Sequence, residues 1–520
     1  MTDLKDKSIH LTTEKITEEL KDMRVYKSVY NDLQRLVVSP CIKESDFKST
    51  LLESIKNVGI ETQIRNTVFH WMRSHKIDLD SNSWAEPLTY LRKAQFQWEK
   101  RIQKSLNSMC NEIGIQLSRF RLPSDRDDMK DKWTELSTYE VDLTQYRPVY
   151  APKDFLEVLI SLKSSNYRSV EGEGSWDFTQ IPLKIKSLSE LRQLYKELAR
   201  GESVIGTNSY NNPNPYFNAL ESERITLGEK VLNSKHAPVA QEFLKKGSPR
   251  CLRGKIWCQV LGSEATPDSS KYFEQLKSSV LTYDLLIDKL TIKDVQLTAS
   301  NDDQYFVFED LLYQILLCFS RDTEILSIFE HSSASPLYGP LKNKNTNTEN
   351  LVVYPPSGII PFHGFTMYAT PFCYLYDDVI SLYFTFRAFY LRYFYHLHQV
   401  SSNEQGILSL CILFHRLLQR YEPQLFLHFK TIHIHPIKIV FKWIMRCFSG
   451  HLPPDQILYL WDLILAYDSL EIISILAVAI LSFRRENLMQ VDTLQNVEAV
   501  IADLSSINVM TLLQFALMRD

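Results

Sequence analysis

The chain has 520 residues, with 58 basic and 62 acidic side chains and a formal net charge of −4. At 44% hydrophobic and 23% charged residues it can bury a large core, most readily in two domains, which excludes wholesale disorder and any global field that would draw it to nucleic acid. Eight scattered cysteines with no C-x-x-C pair, behind a polar start (MTDLKDKSIHLTTEK) with no secretory leader, read as buried thiols of a reducing, cytoplasmic compartment.

Residues 1 to about 150 read as helical, over Glu14 to Val38, Thr50 to Ser74 and Leu88 to Ile113. In the last of these Leu88, Leu91, Phe96, Trp98, Ile102, Leu106 and Met109 recur at roughly helical intervals, with Arg92, Lys93, Glu99 and Lys100 elsewhere around it. Two readings stay open: packing inside its own domain, which the lack of clean heptads favours, and a docking face for another protein. Arg119 to Lys130, with Pro123 amid dense charge, reads as a loop. Helices follow at Lys153 to Ser164 and Ser187 to Ala199, the second with a Ser-x-x-Glu box at Ser187 and Glu190. Residues 201–219, with two Asn-Pro steps, are a candidate hinge that closes an N-terminal region over 1–240.

Helix then follows helix, over Ala237 to Lys246, Leu252 to Leu261, Ser269 to Thr291, Asp303 to Cys318, Asp377 to Val400, Glu404 to Gln419, Ile437 to Phe448, Pro454 to Leu465, Ser469 to Asn487 and Val491 to Leu504. The fold class is all-α. The exception is 332–364, a long connection containing KNKNTNTEN, of a length that tends to be functional or disordered. No transmembrane segment is expected: the longest uncharged apolar run, Ile472 to Phe483, makes about 18 Å of helix against a hydrocarbon layer of roughly 30 Å.

The stretch NDDQYFVFEDLLYQILLCFSR, 301–321, sets an ionised residue inside an apolar helix. Asp302 or Asp303 can cap its start. Phe308, Leu312, Ile315 and Phe319 share one side and predict its burial, while Asp310 must be exposed or paired, since an unpaired buried charge is costly. Tyr313 lies one turn on, near the face of Asp310. Elsewhere the chemistry is sparse. His396 and His398, like His433 and His435, are two apart, which in a helix does not bring both rings to one face, and no zinc pattern completes them. Neither a phosphate-binding P-loop, nor a G-x-S-x-G elbow, nor a kinase set is present, so no cofactor of the chain's own is expected.

Three stretches taken together read differently. SPRCLRGKIWCQVLG, 248–262, places Arg253 one helical turn before Trp257, with Gly262 able to end the helix. VFEDLLY, 307–313, opens the helix just described. GIIPFHGFTMYATPFCYLYDD, 358–378, feeds a Gly-flanked loop into an apolar segment. With Arg253, Trp257, Leu261 and Gly262 spaced as Arg-x-x-x-Trp followed by Leu-Gly, then Trp443 and Phe448 before Pro453, then YLWDLIL with Trp461 and Asp462, the segment 247–467 resembles a TBC domain, the all-helical catalytic domain of Rab GTPase-activating proteins. The C-terminal helices of 468–520 would complete or pack on it.

The resemblance implies a Rab-family small GTPase as partner, with GTP and Mg2+ carried by that partner, and recruitment to membranes through it. It implies two catalytic motifs, and the chain departs from both. In Ile-x-x-Asp-x-x-Arg, whose arginine acts as a finger, Val307 and Asp310 match while Tyr313 stands at the arginine position. In Tyr-x-Gln-Gly, whose glutamine orients the hydrolytic water, PFHG at 361–364 places His363 at the glutamine and keeps Gly364. A finger of this kind is worth roughly 10³ to 10⁵ in rate, about 4 to 7 kcal/mol, and Tyr313 carries no cation. Arg321 lies eight residues beyond, about 12 Å along a helix, and Arg253 is expected to pair with Asp310. Three readings follow: a GTPase-activating protein of low or atypical activity, a catalytically inactive Rab-binding adaptor, and a helical scaffold for a non-GTPase partner.

Overall fold

The computed structural model describes, beyond isolated positions before residue 60, residues 60–74, 89–162, 177–199, 215–301, 304–328, 337–341 and 350–518. The predicted helix Glu14 to Val38 lies almost wholly outside them, as do positions 201–214 of the candidate hinge, the Asp302 and Asp303 caps, and KNKNTNTEN up to residue 349.

The fold is all-α, and its N-terminal helices share one hydrophobic core with the rest. After α1 (Ile60–Ser74), α2 (Thr89–Ile113) buries Leu91, Trp98, Ile102, Leu106 and Met109 and leaves Arg92, Lys93 and Lys100 exposed, as its spacing predicts. Phe96 falls off that stripe and is exposed under the Lys100 ammonium. The segment expected to be a loop instead holds strand β1 (Ser118–Phe120) and a helix over Pro123–Asp131. Pro123 sits in that helix's first turn, where a missing N–H leaves no bond unmade. Next come α3 (Pro152–Ile160) and the Ser187 box, where Ser187 Oγ accepts from the Glu190 N–H and the Glu190 carboxylate accepts from the Ser187 N–H.

α4 (Ala237–Leu244) precedes the TBC-like segment, and α5 (Arg250–Leu261) is its first helix, ended by Gly262 at φ +69°. The single helix expected over Ser269 to Thr291 is broken into α6 (Pro267–Thr282), β2 (Tyr283–Leu285) and α7 (Leu286–Asn301). The break is a tertiary override of helical spacing: Tyr283–Leu285 pairs antiparallel with β1, with Phe120 opposite Tyr283. Under this pair lies a buried charge cluster in which Arg121 and Arg321 both bond Asp288, and Arg121 and Lys289 meet Asp284, which the exposed Arg119 also reaches. Charges so deep are tolerated only when mutually paired, so the cluster ties β1 to the centre of the domain.

α8 (Glu309–Arg321) is the central helix, packed against α6, α7 and the later α9 (Val379–Arg392). It begins after a 3₁₀ turn over Phe306–Phe308, without a side-chain cap, and Leu312, Ile315 and Phe319 are buried as predicted. Every residue from Leu312 to Arg321 is buried, more than one stripe requires. The long connection that follows contains an antiparallel hairpin, β3 (Leu337–Leu341) and β4 (Asn350–Tyr354). α9 (Val379–Arg392) gives way to a 3₁₀ turn at Phe394–His398, short of the predicted end at Val400. α10 (Ile407–Tyr421), α11 (Pro436–Met445), α12 (Pro454–Tyr467) and α13 (Glu471–Phe483) complete the bundle. Of the cysteines expected to be buried, Cys251 is exposed, and all seven described ones are free thiols. Among the described residues no helix is long and apolar enough to cross a membrane.

Candidate functional site

The Arg-x-x-x-Trp motif of α5 closes on α12. Arg253 Nε donates to Asp462 Oδ2 at 3.0 Å and Trp257 Nε1 donates to Asp462 Oδ1 at 2.6 Å. The Ser248 N–H adds a third donor at 3.4 Å, and Arg253 Nη2 reaches the Ser248 carbonyl at 3.1 Å. The expected Arg253–Asp310 pair is therefore not formed. Asp462, one residue after Trp461, is the carboxylate that faces α5, whereas Asp310 is half-buried on α8 and accepts the Ser137 N–H at 2.8 Å. Trp461 Nε1 bonds the Cys447 carbonyl at 3.1 Å, and Trp443 stacks on Phe448. Arg253, Trp257, Trp443, Trp461 and Asp462 are all buried, so they hold helices together and present nothing to a partner.

Tyr313 and His363 have opposite surroundings. Tyr313 is 2% exposed, and its hydroxyl donates to Glu309 Oε1 at 2.5 Å. Burial, and then the Glu309 acceptor, push its pKa far above the ordinary phenol value, so it stays neutral at any physiological pH. The side chain of His363 is 43% exposed. The loop that carries it is fixed by its main chain. Asp294, on α7, accepts from the Gly364 N–H at 2.6 Å, the Thr366 N–H at 2.9 Å and the Thr366 hydroxyl at 2.7 Å. Gly364 has φ +93°, and a Cβ there would stand 2.0 Å from Arg446 Nη2. Glycine is thus required twice, for the left-handed backbone and for the guanidinium packed against it. That guanidinium donates to the His363 carbonyl at 3.0 Å.

A segment from the N-terminal region lies across this face. The His363 N–H donates to the Tyr150 carbonyl at 2.9 Å, and the Tyr150 ring packs on Phe362 and Trp98. Lys293 Nζ, beside Asp294 on α7, donates to the carbonyls of Leu143 and Tyr146. With Ser137 on Asp310, these bonds make residues 136–150 a strap over α7, α8 and the 361–364 loop. A small cleft opens where strap and loop meet, lined by Arg147, Pro148, Lys293, Asp294, Pro361 and His363 among others. Asp294, Lys293, Arg446 and the strap were not singled out from sequence. For Asp294 a signal existed: it sits three to four residues from Leu290 and Leu297 on an apolar stripe, the same irregularity that marks Asp310. Among the described residues no group of three or more His, Cys, Asp or Glu could hold a metal ion, and His398 is instead buried against the Tyr390 hydroxyl at 2.8 Å.

The Arg253–Asp462–Trp257 knot and the glycine-pinned loop lie in the segment whose motifs resemble a TBC domain. The chain belongs to the Rab-GTPase-TBC domain family, whose action is GTPase-activating-type regulation of Rab GTPases, and that family matches residues 362–489. The match takes in His363 and Gly364 and begins beyond Asp310 and Tyr313. The chain is 45% identical over 521 residues to human TBC1 domain family member 19, covering 98% of each. Two solved structures are more distant. One is the Chlamydomonas flagellar RabGAP TBC domain, at 14% identity and TM-score 0.40, covering 66% of this chain and 97% of that one. The other is the Ypt/Rab-GAP domain of Gyp1p, at 12% identity and TM-score 0.37, covering 64% and 97%.

Proposed function

We propose that the chain docks a GTP-loaded Rab-family GTPase on the face formed by α7, the start of α8 and the 361–364 loop, and accelerates its hydrolysis weakly. In this reading Tyr313 and His363 occupy the arginine and glutamine positions of the family's catalytic motifs. The observation that carries it is the contrast between them: Tyr313 is a buried, neutral phenol committed to Glu309, while His363 reaches solvent beside a rigid main chain. A neutral O–H cannot offset the charge that grows on phosphate oxygens in the transition state, which removes most of a term worth about 10³ to 10⁵ in rate. His363 can orient a water through a ring nitrogen, as glutamine would through its amide. GTP and Mg2+ arrive with the GTPase, and the place of action is the cytoplasmic surface of the membrane that bears it.

The test is single-turnover GTP hydrolysis by a panel of purified Rab proteins with and without the chain, alongside binding to each nucleotide state. Nucleotide-dependent binding with acceleration well below 10³-fold is the expected result. Acceleration at or above that range would sink the low-activity reading, and binding with none would leave a Rab-binding adaptor. Binding to no Rab in either state would favour a scaffold for a different partner. The His363→Gln variant, at an exposed position, is expected to raise turnover without altering binding.

A further inference from the structure

Of the arginines near this face, Arg253 and Arg321 are buried in ion pairs, and Arg446 is packed under Gly364 with Nη2 on the His363 carbonyl. None can turn outward without abandoning a buried partner. Arg147 differs. It lines the same cleft as His363, its side chain is 46% exposed, and its guanidinium is lightly held. Nη1 donates to Ser105 Oγ at 3.1 Å, and Nη2 lies 3.7 Å from the exposed Glu112 carboxylate. Five N–H donors with one good acceptor leave a fork free to take up phosphate oxygens.

The backbone on both sides of Arg147 is tied to the elements that carry the site. Lys293 holds the carbonyls of Leu143 and Tyr146 just before it, and the His363 N–H holds the carbonyl of Tyr150 just after it. We infer that Arg147 supplies, from the N-terminal strap, the cation that Tyr313 cannot, facing the phosphates of the nucleotide on the docked GTPase. Lys293 is its positioning residue. The inference rests on the docking face proposed above. The chemistry is the GTPase's own: water attacks the γ-phosphorus, the bond to the β–γ bridging oxygen breaks with its electron pair leaving on GDP, and the water's proton ends on the phosphate. Arg147 forms no covalent bond and exchanges no proton; it offsets the growing negative charge.

Single-turnover hydrolysis by the Rab panel, and complex formation with GDP–aluminium fluoride-loaded Rab, are measured for the full chain, Arg147→Ala, Arg147→Lys and Lys293→Met, with thermal melts as a folding control. Arg147→Ala is expected to lose most of whatever acceleration the full chain gives, and the aluminium fluoride complex with it, while binding to GTP-loaded Rab holds within about 2-fold; loss of a finger-type cation is felt in rate before affinity. Arg147→Lys recovers part of the rate, and Lys293→Met loses rate through a displaced strap. Unchanged rate in Arg147→Ala overturns the inference, as does binding without any acceleration by the full chain; both leave the docking reading standing. Gain of binding or rate in Arg147→Ala or Lys293→Met also overturns it, showing the strap to be a cover. Absence of nucleotide-dependent binding to every Rab overturns docking and inference together.

Discussion

Two buried carboxylates organise this domain, and each accepts three donors by different means. Asp462 is met by the Arg253 guanidinium, the Trp257 indole and the Ser248 N–H, groups that are themselves buried. Asp294 is met by two main-chain N–H groups and one hydroxyl from the loop that bears His363. The first arrangement depends on particular side chains from separate helices, so it fixes the fold. The second grips the main chain of the loop and the Thr366 hydroxyl, and the half-exposed His363 ring lies beside it with Nδ1 3.6 Å from Asp294 Oδ1. The knot and the main-chain bonds of the loop therefore do not depend on which side chain stands at 363.

The largest expected effect is on the Asp462 side. Asp462→Ala leaves the Arg253 guanidinium buried without its counter-charge, and breaking such a pair costs about 3–5 kcal/mol. Chemical denaturation should show this loss, together with poor soluble yield. A change under 1 kcal/mol would mean that the knot is not what holds α5 to α12. On the Asp294 side, Gly364→Ala is expected to cost about 1–3 kcal/mol through its φ and the clash with Arg446. Gly364→Ala with Arg446→Ala removes the clash but not the backbone strain, so the double variant should recover only part.

Acid sensitivity separates the core from both sites. Burial lowers the pKa of His398 to about 3, and burial with nearby His415 and Lys438 lowers that of His435 to about 3, from 6.5. In each the folded state resists the proton that the unfolded chain accepts. Their contribution is therefore full above about pH 6.5 and is lost as the pH falls from there toward 3, at up to about 1.4 kcal/mol per residue per pH unit. Melting temperature measured from pH 7 to pH 5 should fall, and less steeply in His398→Asn. An equal slope in that variant would place the acid response elsewhere.

The helical frame was legible in α2 because burial of one face needs periodicity, whereas α8 and α12, buried nearly all round, were legible as apolar runs of helical length. Arg-x-x-x-Trp and YLWDLIL were legible as motifs, but which carboxylate answers Arg253 was not. Asp310 and Asp462 both interrupt apolar helices, and only the packing of α5 on α12 decides between them. The β1–β2 pair joins residues about 165 apart, with each strand only three residues long, too short to interrupt a helical pattern. The strap escaped for a related reason. Its bonds to α7 and the loop are made by its carbonyls, a group every residue has, so its sequence carries no mark of them.

Asp310 gives the finest test of the contrast, because it belongs to neither carboxylate class. It is half-buried, and its described donor is the Ser137 N–H of the strap, a group water can serve as well. Asp310→Ala should therefore cost only about 0.5–1.5 kcal/mol globally, far less than Asp462→Ala. Its effect should be local: faster amide hydrogen exchange at Ser137 and along 136–150, with α5 and α12 unaffected. Loss approaching that of Asp462→Ala would make Asp310 a second structural knot and return it to the role the family resemblance implied. Unchanged exchange along the strap would mean that Lys293 and Tyr150 hold it without help from α8.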